Sequence, residues 1–317
     1  MTFAGVPCVG KSANAEFLKG AGWNYVSSDE VAHSLKERGI SKVQAIKKAG
    51  RELWQNIFEL VASSREARII IVDKNSPPNS WRATKRNLNE SSRRSQHPIV
   101  SVLMIPYELC AADDYQISFN PSLLLLCIVR ILARTDHPTL NGTDADALLT
   151  LLRFFKLYDG YSRLGTVDEA RVKAMEAGFD VVRFYKVLTD LGTEDQSDER
   201  KQINDMIVRV FKLYEKCPLF GETDDGNFRR EAECVHEMLQ ANQVYSDWAK
   251  QVSVDAMVLG TACMEAALEA QAVCKSKTDD SKRGKGGKGG ARKGGSHKGG
   301  SRKGGARKGG KGSQPGS

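Results

Sequence analysis

Short apolar runs alternate with longer amphipathic stretches along the first 112 residues. A short apolar run predicts a β-strand, and apolar positions at helical spacing predict a helix. Because strands that alternate with helices usually form a parallel sheet covered by those helices, this part of the chain predicts an α/β fold. The predicted strands are Asn24–Ser27, Arg68–Asp73 and Ile99–Ile105, and the predicted helices are Lys11–Lys19, Lys42–Ser63 and Asn79–Ser92.

Helical periodicity dominates residues 113–275. Apolar positions there recur every three or four residues, which is typical of helices that pack on a core. Breaks are predicted at Gly192, Pro218 and Gly226. The predicted helices are Leu123–Arg134, Ala145–Leu157, Val167–Leu188, Glu199–Tyr214 and Phe228–Cys274. The last three of these form a predicted helical extension over residues 164–275.

The end of the chain, residues 276–317, is a low-complexity tail in which ARKGG, SHKGG, SRKGG and ARKGG follow one another. It has too little apolar surface to offset its chain entropy, so we predict a disordered tail. Residues 282–317 hold 12 of the 47 Lys and Arg and no acid, which leaves the rest of the chain with a net charge of −4. Flexible positive charge binds phosphate backbones, so the tail predicts contact with RNA. A nuclear-import signal and a solubilising tail are the alternatives.

Several classes of protein are disfavoured by the composition. No apolar run reaches the roughly 18 residues of a membrane span, so we expect no membrane partner. The sequence opens on a Gly-rich loop, so we expect no secretory signal. The seven cysteines form no C-x-x-C pair, which favours reduced thiols over a disulfide framework or a zinc site. We expect an intracellular protein of the nucleus or cytoplasm, with an organelle as an open alternative.

The first loop of the chain carries the pattern G-x-x-x-x-G-K-[ST], which is typical of loops that bind nucleotide phosphates. Its glycines let backbone N–H groups curl around phosphate oxygens, its lysine reaches the β- and γ-phosphates, and its hydroxyl ligates Mg²⁺. We therefore predict a P-loop NTPase-type sheet, with Mg²⁺ and ATP or GTP as cofactors. The predicted cofactor-binding residues of this loop are Gly5, Val6, Pro7, Cys8, Val9, Gly10, Lys11 and Ser12; Lys11 is also a predicted catalytic residue, and Ser12 is the predicted metal ligand.

Two acids follow predicted strands. Asp29 follows Asn24–Ser27, where a carboxylate at the carboxyl edge of the sheet can take a proton from an attacking hydroxyl. The alternative for this segment is a helix N-cap at Ser28 or Asp29. Asp73 ends the second predicted strand and is a candidate second acid near the metal. The alternative there is a strand-end turn, and we expect Asn79 to cap the following helix in either case.

Two arginines, Arg130 and Arg134, lie four residues apart on one predicted helix face. A lid helix of a kinase closes such arginines onto the transferring phosphoryl group and neutralises its charge. The spacing alone favours the alternative, a solvated face.

Together these motifs resemble the central polynucleotide-kinase domain of plant-type (green-lineage) tRNA ligases. The resemblance covers roughly residues 3–163 and extends more loosely to about residue 270. It implies a P-loop polynucleotide kinase domain over residues 1–163. It rests on the loop pattern and on three further segments, which are Asp73-Lys74-Asn75 with Trp81-Arg82, the run from Arg130 to Pro138, and the run from Phe154 to Gly160.

The resemblance implies a 5′-hydroxyl RNA kinase that phosphorylates an exon end during tRNA splicing. Lys11 and Ser12 would hold phosphates and metal, Asp29 would be the general base, and Arg130 and Arg134 would be lid arginines. The implied partners are RNA with 5′-OH tRNA exon ends, a nucleoside triphosphate and a separate RNA ligase.

The chain also departs from that family. Full-length members carry a K-x-D-G ligase motif and two H-x-[ST] motifs, whereas this sequence has no K-x-D-G and one H-x-T, at His137. Phage-type kinases place an arginine three residues after the base, where this chain has Ala32; Lys36 is a candidate substitute. A non-catalytic RNA-binding remnant, a fragment of a larger ligase and a small-molecule or nucleoside kinase are therefore the alternatives.

Overall fold

The structure is a computed structural model. It divides into two compact units, Met1–Thr278 and Asp279–Ser317. The residues that it describes are 1–20, 22–63, 69–95, 98–111, 120–134, 140–142, 145–161, 164–187, 198–219, 222, 226–242 and 256–285.

The described residues form an α/β fold around a five-stranded sheet in which every strand pair is parallel. The strand order is β2-β3-β1-β4-β5, so the first strand lies in the centre. Thr2 of β1 lies opposite Val72 of β3 on one side and Leu103 of β4 on the other. The predicted parallel sheet is thus confirmed. Its strands are β1 (Thr2–Phe3), β2 (Asn24–Ser27), β3 (Ile70–Asp73), β4 (Val102–Pro106) and β5 (Val181–Tyr185).

Helices fill the connections between the strands and follow the last one. Because crossovers between parallel strands are right-handed, the helix after β1 and the helix after β3 lie on opposite faces of the sheet. The described helices are α1 (Lys11–Gly20), α2 (Ser28–Glu37), α3 (Lys42–Ser63), α4 (Trp81–Ser95), α5 (Pro121–Leu132), α6 (Ala145–Lys156), α7 (Val167–Glu176), α8 (Asp198–Lys216), α9 (Gly226–Ala241) and α10 (Ala256–Lys285). Within the described ranges, no helix is both long and apolar enough to cross a bilayer.

The predicted helix over Val167–Leu188 is wrong in its second half. The helix ends at Glu176, and Gly178 then adopts a φ of +98°, a backbone conformation that favours glycine. The next residues, Val-Val-Arg-Phe-Tyr, are β-branched and aromatic and form β5. The predicted helical extension therefore contains the fifth strand of the sheet.

Two predicted caps and part of the tail also need correction. The N-cap of α2 is Ser27, whose hydroxyl accepts hydrogen bonds from the amides of Asp29 and Glu30. Asn79 lies inside a short 3₁₀ turn that precedes α4, and that turn is capped by Pro77 without a side-chain bond. Residues 276–285 of the predicted tail belong to α10, which ends at Lys285. Residues 286–317 lie outside the described residues.

The largest apolar cluster surrounds the central strands and α5. Every residue from Leu123 to Val129 is buried, so α5 packs on all sides, and its neighbours include α6, α8 and α9. A second cluster joins Leu53, Trp54 and Ile57 of α3 to β2 and β3. These two clusters hold the carboxyl ends of β1, β2 and β3 side by side.

Asp180, just before β5, ties three parts of the fold together. Its carboxylate accepts hydrogen bonds from the Ser101 amide at 2.8 Å, from Lys85 Nζ at 3.0 Å and from Lys277 Nζ at 2.5 Å. Burial raises the pKa of Asp180, but these hydrogen bonds outweigh burial and hold the pKa well below its ordinary value. Since Lys277 belongs to α10, this carboxylate anchors the last helix before the tail.

Candidate phosphate-binding site

The loop between β1 and α1 curls because three of its residues take left-handed backbone conformations. The φ angles are +147° at Gly5, +66° at Cys8 and +95° at Gly10. A Cβ on Gly5 would lie 2.9 Å from Cγ1 of Val9, so this position requires glycine. Cys8 is the single non-glycine residue with a positive φ among the described residues, which is unusual for a side chain of this kind.

Lys11, the first residue of α1, folds back onto the loop. Its side chain is 8% exposed, and its Nζ donates to the carbonyl oxygen of Val6 at 2.6 Å and to that of Gly5 at 3.2 Å. Burial lowers the pKa of Lys11, and the nearby carboxylate of Asp73 counteracts part of that effect. A cation therefore lies against the inner side of the loop, held by carbonyl groups that a ligand can replace.

Ser12 and Asp73, which the sequence places 61 residues apart, are in contact. Ser12 Oγ donates to Asp73 Oδ2 at 2.7 Å, and Tyr25 Oη donates to the same oxygen at 2.8 Å. Burial and then the charge of Asp73 raise the pKa of Tyr25, so its hydroxyl stays a donor. A hydroxyl beside a carboxylate is a set of hard oxygen ligands, which fits Mg²⁺ that keeps waters and nucleotide oxygens as its other ligands. No cluster of three His, Cys, Asp or Glu side chains suited to a metal occurs in the described part of the chain.

Asp29 lies at the same edge of the sheet. Ser27 at the end of β2 lies opposite Asp73 at the end of β3, and Asp29 follows two residues later in the first turn of α2. Its side chain is partly exposed. Its charge raises the pKa of Lys11 against the larger, lowering effect of burial, and it raises the pKa of Cys8 in the same direction as burial does. The carboxylate is therefore close enough to interact electrostatically with the loop.

The two predicted lid arginines face the loop. Arg130 Nη1 donates to the carbonyl oxygen of Cys8 at 3.3 Å, and burial lowers the pKa of Arg130. Burial raises the pKa of the Cys8 thiol, but the charges of Arg134, Lys11 and Arg130 lower it, so all three cations lie near that thiol. Arg134 lies just beyond the end of α5, which stops at Leu132. The pair does not form the solvated face that spacing alone favoured.

Sequence reasoning missed the residues that hold the loop from behind. Tyr158, which is 2% exposed, accepts a hydrogen bond from the Gly5 amide at 2.7 Å and donates to Asn75 Oδ1 at 3.4 Å. Tyr158 lies in a π-helical turn, Leu157–Tyr161, a distortion that often marks functional sites. Nδ2 of Asn75 is buried and has no hydrogen-bond partner among the described residues. Asn75 and Tyr158 both lie in segments on which the family resemblance rests. Membership of those segments was the only signal in the sequence that could have pointed to their contact with the loop.

Lys11, Ser12, Asp73, Asp29 and Arg130 therefore converge on one loop from four separate elements. No protein-family model matches the chain, and no curated protein is significantly similar to it.

Proposed function

We propose that the chain is a P-loop phosphotransferase that moves the γ-phosphate of ATP or GTP to the 5′-hydroxyl end of an RNA. The observation that carries this proposal is the convergence of a cation, a hydroxyl–carboxylate pair, a second carboxylate and an arginine on one glycine-bent loop. Each of these groups has a role in phosphoryl transfer, where catalysis consists mainly of positioning and charge neutralisation.

The loop supports the nucleotide half of the reaction. The backbone amides of the loop and of the start of α1 bind the phosphate oxygens, and Lys11 exchanges the carbonyl oxygens of Gly5 and Val6 for the β- and γ-phosphates. Ser12 Oγ would hold Mg²⁺, with Asp73 keeping that hydroxyl in place, and the ion would supply charge neutralisation at the phosphates.

Asp29 and the arginines support the transfer half. Asp29 accepts the proton of the 5′-hydroxyl of the RNA while the oxygen of that hydroxyl bonds to the γ-phosphorus. The nucleoside diphosphate leaves from the side of the phosphorus opposite this oxygen. Arg130, already at the loop, and Arg134 neutralise the charge on the transferring group. RNA as the acceptor rests on the resemblance to the tRNA ligase kinase domain, as do a role in tRNA splicing and a separate ligase as partner.

Three variants test the mechanism. Asp29→Ala should lower phosphate transfer from labelled ATP or GTP to a 5′-OH RNA oligonucleotide by about 10²- to 10⁴-fold, the usual contribution of a general base. Its nucleotide affinity, measured by calorimetry, should stay near that of the wild type, whereas Lys11→Ala should lose both. Glu30→Gln is the matched control, because Glu30 is the adjacent, exposed acid. If Asp29→Ala keeps near-full transfer, the mechanism is wrong.

A non-catalytic RNA-binding module is the second candidate, and one observation favours it. Ala32 is 2% exposed and packs with Leu35, Ala45 and Ala49 between α2 and α3. The position where phage-type kinases carry an arginine therefore cannot present a side chain to an acceptor. Wild-type protein that binds RNA and nucleotide but transfers no label to RNA or to small hydroxyl compounds would establish this second candidate.

A further inference from the structure

Helix α4 carries a stripe of arginines on one face. Arg82, Arg86, Asn89 and Arg93 recur at spacings of four, three and four residues, which places them along one side of a helix. All four side chains are exposed. With a rise of 1.5 Å per residue, the stripe is about 16 Å long, the length of a few nucleotides of single strand.

The guanidinium groups of the three arginines in the stripe do not stabilise the fold through polar contacts among the described residues. In the described part of the chain, none of Arg82, Arg86 and Arg93 makes an ion pair or a side-chain hydrogen bond. Arg94 on the same helix differs, because it pairs with Glu90 at 2.9 Å and lies 4.8 Å from the ring centroid of Phe58. Three like charges in a row repel one another, and an anionic ligand would remove that repulsion.

The stripe borders a groove of about 540 Å³, which Ala177 at the end of α7 closes on the other side. Lys85 forms part of its lining and is fixed in place, because its Nζ donates to Ser101 Oγ at 2.7 Å and to Asp180 Oδ2 at 3.0 Å. The Asp180 carboxylate compensates the charge of Lys85, so the surplus positive charge of the groove belongs to the stripe. Glu90 also lines the groove, but its carboxylate pairs with Arg94. The three guanidinium groups of the stripe are therefore the cations of the groove that have no ion pair among the described residues.

The direction of α4 connects this groove to the candidate site. Asp73 ends β3 at the phosphate loop, and only a short turn separates it from the first residue of α4. Arg82 is therefore at the end of the stripe nearest the loop, and Arg93 is at the far end. A larger groove between α2 and α3, of about 820 Å³, contains three glutamates and one cation, Arg38, which pairs with Glu52, so its net charge is negative and disfavours a phosphate backbone.

The geometry points to the α4 groove as a binding site for the phosphate backbone of single-stranded RNA whose 5′ end enters the phosphate loop. The direction given to the RNA strand rests on the proposed function, whereas the charge of the groove is independent of the proposed function. Guanidinium groups bind phosphate oxygens with two parallel hydrogen bonds. Because the stripe reads no base edges, binding is independent of sequence and strongly dependent on salt.

The test compares two double variants of the full chain. Arg86→Gln/Arg93→Gln removes two charges from the stripe, and Arg51→Gln/Arg230→Gln removes two exposed arginines that likewise have no partner among the described residues. Binding of a 12-nucleotide 5′-OH RNA with a 3′ fluorophore is followed by anisotropy between 50 and 200 mM salt. Each lost phosphate contact on a single strand reduces the steepness of the plot of log K against log salt by about 0.7. The stripe variant loses two contacts, so the plot should become less steep by about 1.4, and binding at 0.1 M salt should weaken about 25-fold. The control pair should change neither quantity appreciably.

The remaining outcomes separate the groove from the proposed function. If the stripe variant binds RNA like the control pair, the groove proposal is overturned. It is also overturned if the variant loses binding to phosphatidylserine vesicles while its RNA affinity is unchanged. If the wild type transfers no phosphate but the stripe variant still loses RNA affinity, the proposed function fails and the groove stands. Arg86→Lys/Arg93→Lys keeps both charges and should restore most of the affinity, which excludes misfolding as the cause.

Discussion

Removing the hydroxyl of Tyr158 tests the support of the phosphate loop. Tyr158→Phe keeps the ring and its packing but deletes the acceptor of the Gly5 amide, whose hydrogen bond of 2.7 Å lies in the interior. Gly5 begins the bend of the loop, so its amide cannot turn to another partner without moving the bend. The variant therefore isolates one hydrogen bond in a constant apolar environment.

The expected cost follows from the state of the amide after the change. A buried N–H group that loses its only partner costs about 1–3 kcal/mol. The bond to Asn75 adds little because its length is 3.4 Å. Tyr185→Phe is the matched control, since Tyr185 is equally buried but its hydroxyl has no hydrogen-bond partner among the described residues. Deleting an unpaired buried hydroxyl should leave the free energy of unfolding unchanged or raise it.

Urea denaturation of the full chain, followed by far-UV circular dichroism, measures both variants on one scale. Tyr158→Phe should lower the free energy of unfolding by about 1–3 kcal/mol relative to Tyr185→Phe. Nucleotide affinity should fall in Tyr158→Phe and stay unchanged in Tyr185→Phe, because only the first touches the loop. Equal stabilities and equal affinities would refute the role given to Tyr158.

Three further predictions address other parts of the molecule. Asp180 has a lowered pKa in the fold. Its contribution to stability is therefore present above the ordinary aspartate pKa of about 3.9 and is lost as the pH falls below that value. The urea midpoint, measured between pH 3 and 7, should depend less on pH in Asp180→Asn than in the wild type. Gly5→Ala should abolish measurable nucleotide binding in calorimetry, because its Cβ would lie against Val9 and its φ of +147° is unfavourable for alanine, and retained affinity would contradict the loop geometry. Deletion of residues 286–317 removes nine Lys and Arg and keeps α10. It should weaken RNA binding and reduce the salt dependence of that binding, while nucleotide hydrolysis stays unchanged. An unchanged salt titration would contradict the role given to the tail.

The sequence predicts the part of the fold that local patterns determine. The alternation of apolar runs with amphipathic stretches located β2, β3, α1 and α3 to within a few residues. The fifth strand was missed because it is short and follows a helix closely, so helical periodicity extended across the Gly178 turn. That turn depends on a single left-handed glycine, which periodicity does not detect.

The candidate site divides in a similar way. The loop residues are contiguous, so their pattern is visible in the sequence, and the sheet register explains why Asp29 and Asp73 share an edge. Tyr158 meets Gly5 across 153 residues, and no local pattern reports such a contact. The arginine stripe of α4 could have been read from its spacing, but its lack of partners becomes visible only in three dimensions.

The loop is fastened at two points to one pair of helices. Gly5, at its start, is bonded to Tyr158 after α6, and Cys8, at its crest, is bonded to Arg130 of α5. A ligand that changes the backbone at Cys8 strains or breaks these two hydrogen bonds. Because α5 and α6 pack on each other and on α9, the change also reaches α9. Ligand binding to the loop can therefore alter the packing of α5, α6 and α9. A spectroscopic label on α9 would report whether the loop is occupied, although α9 lies outside the site.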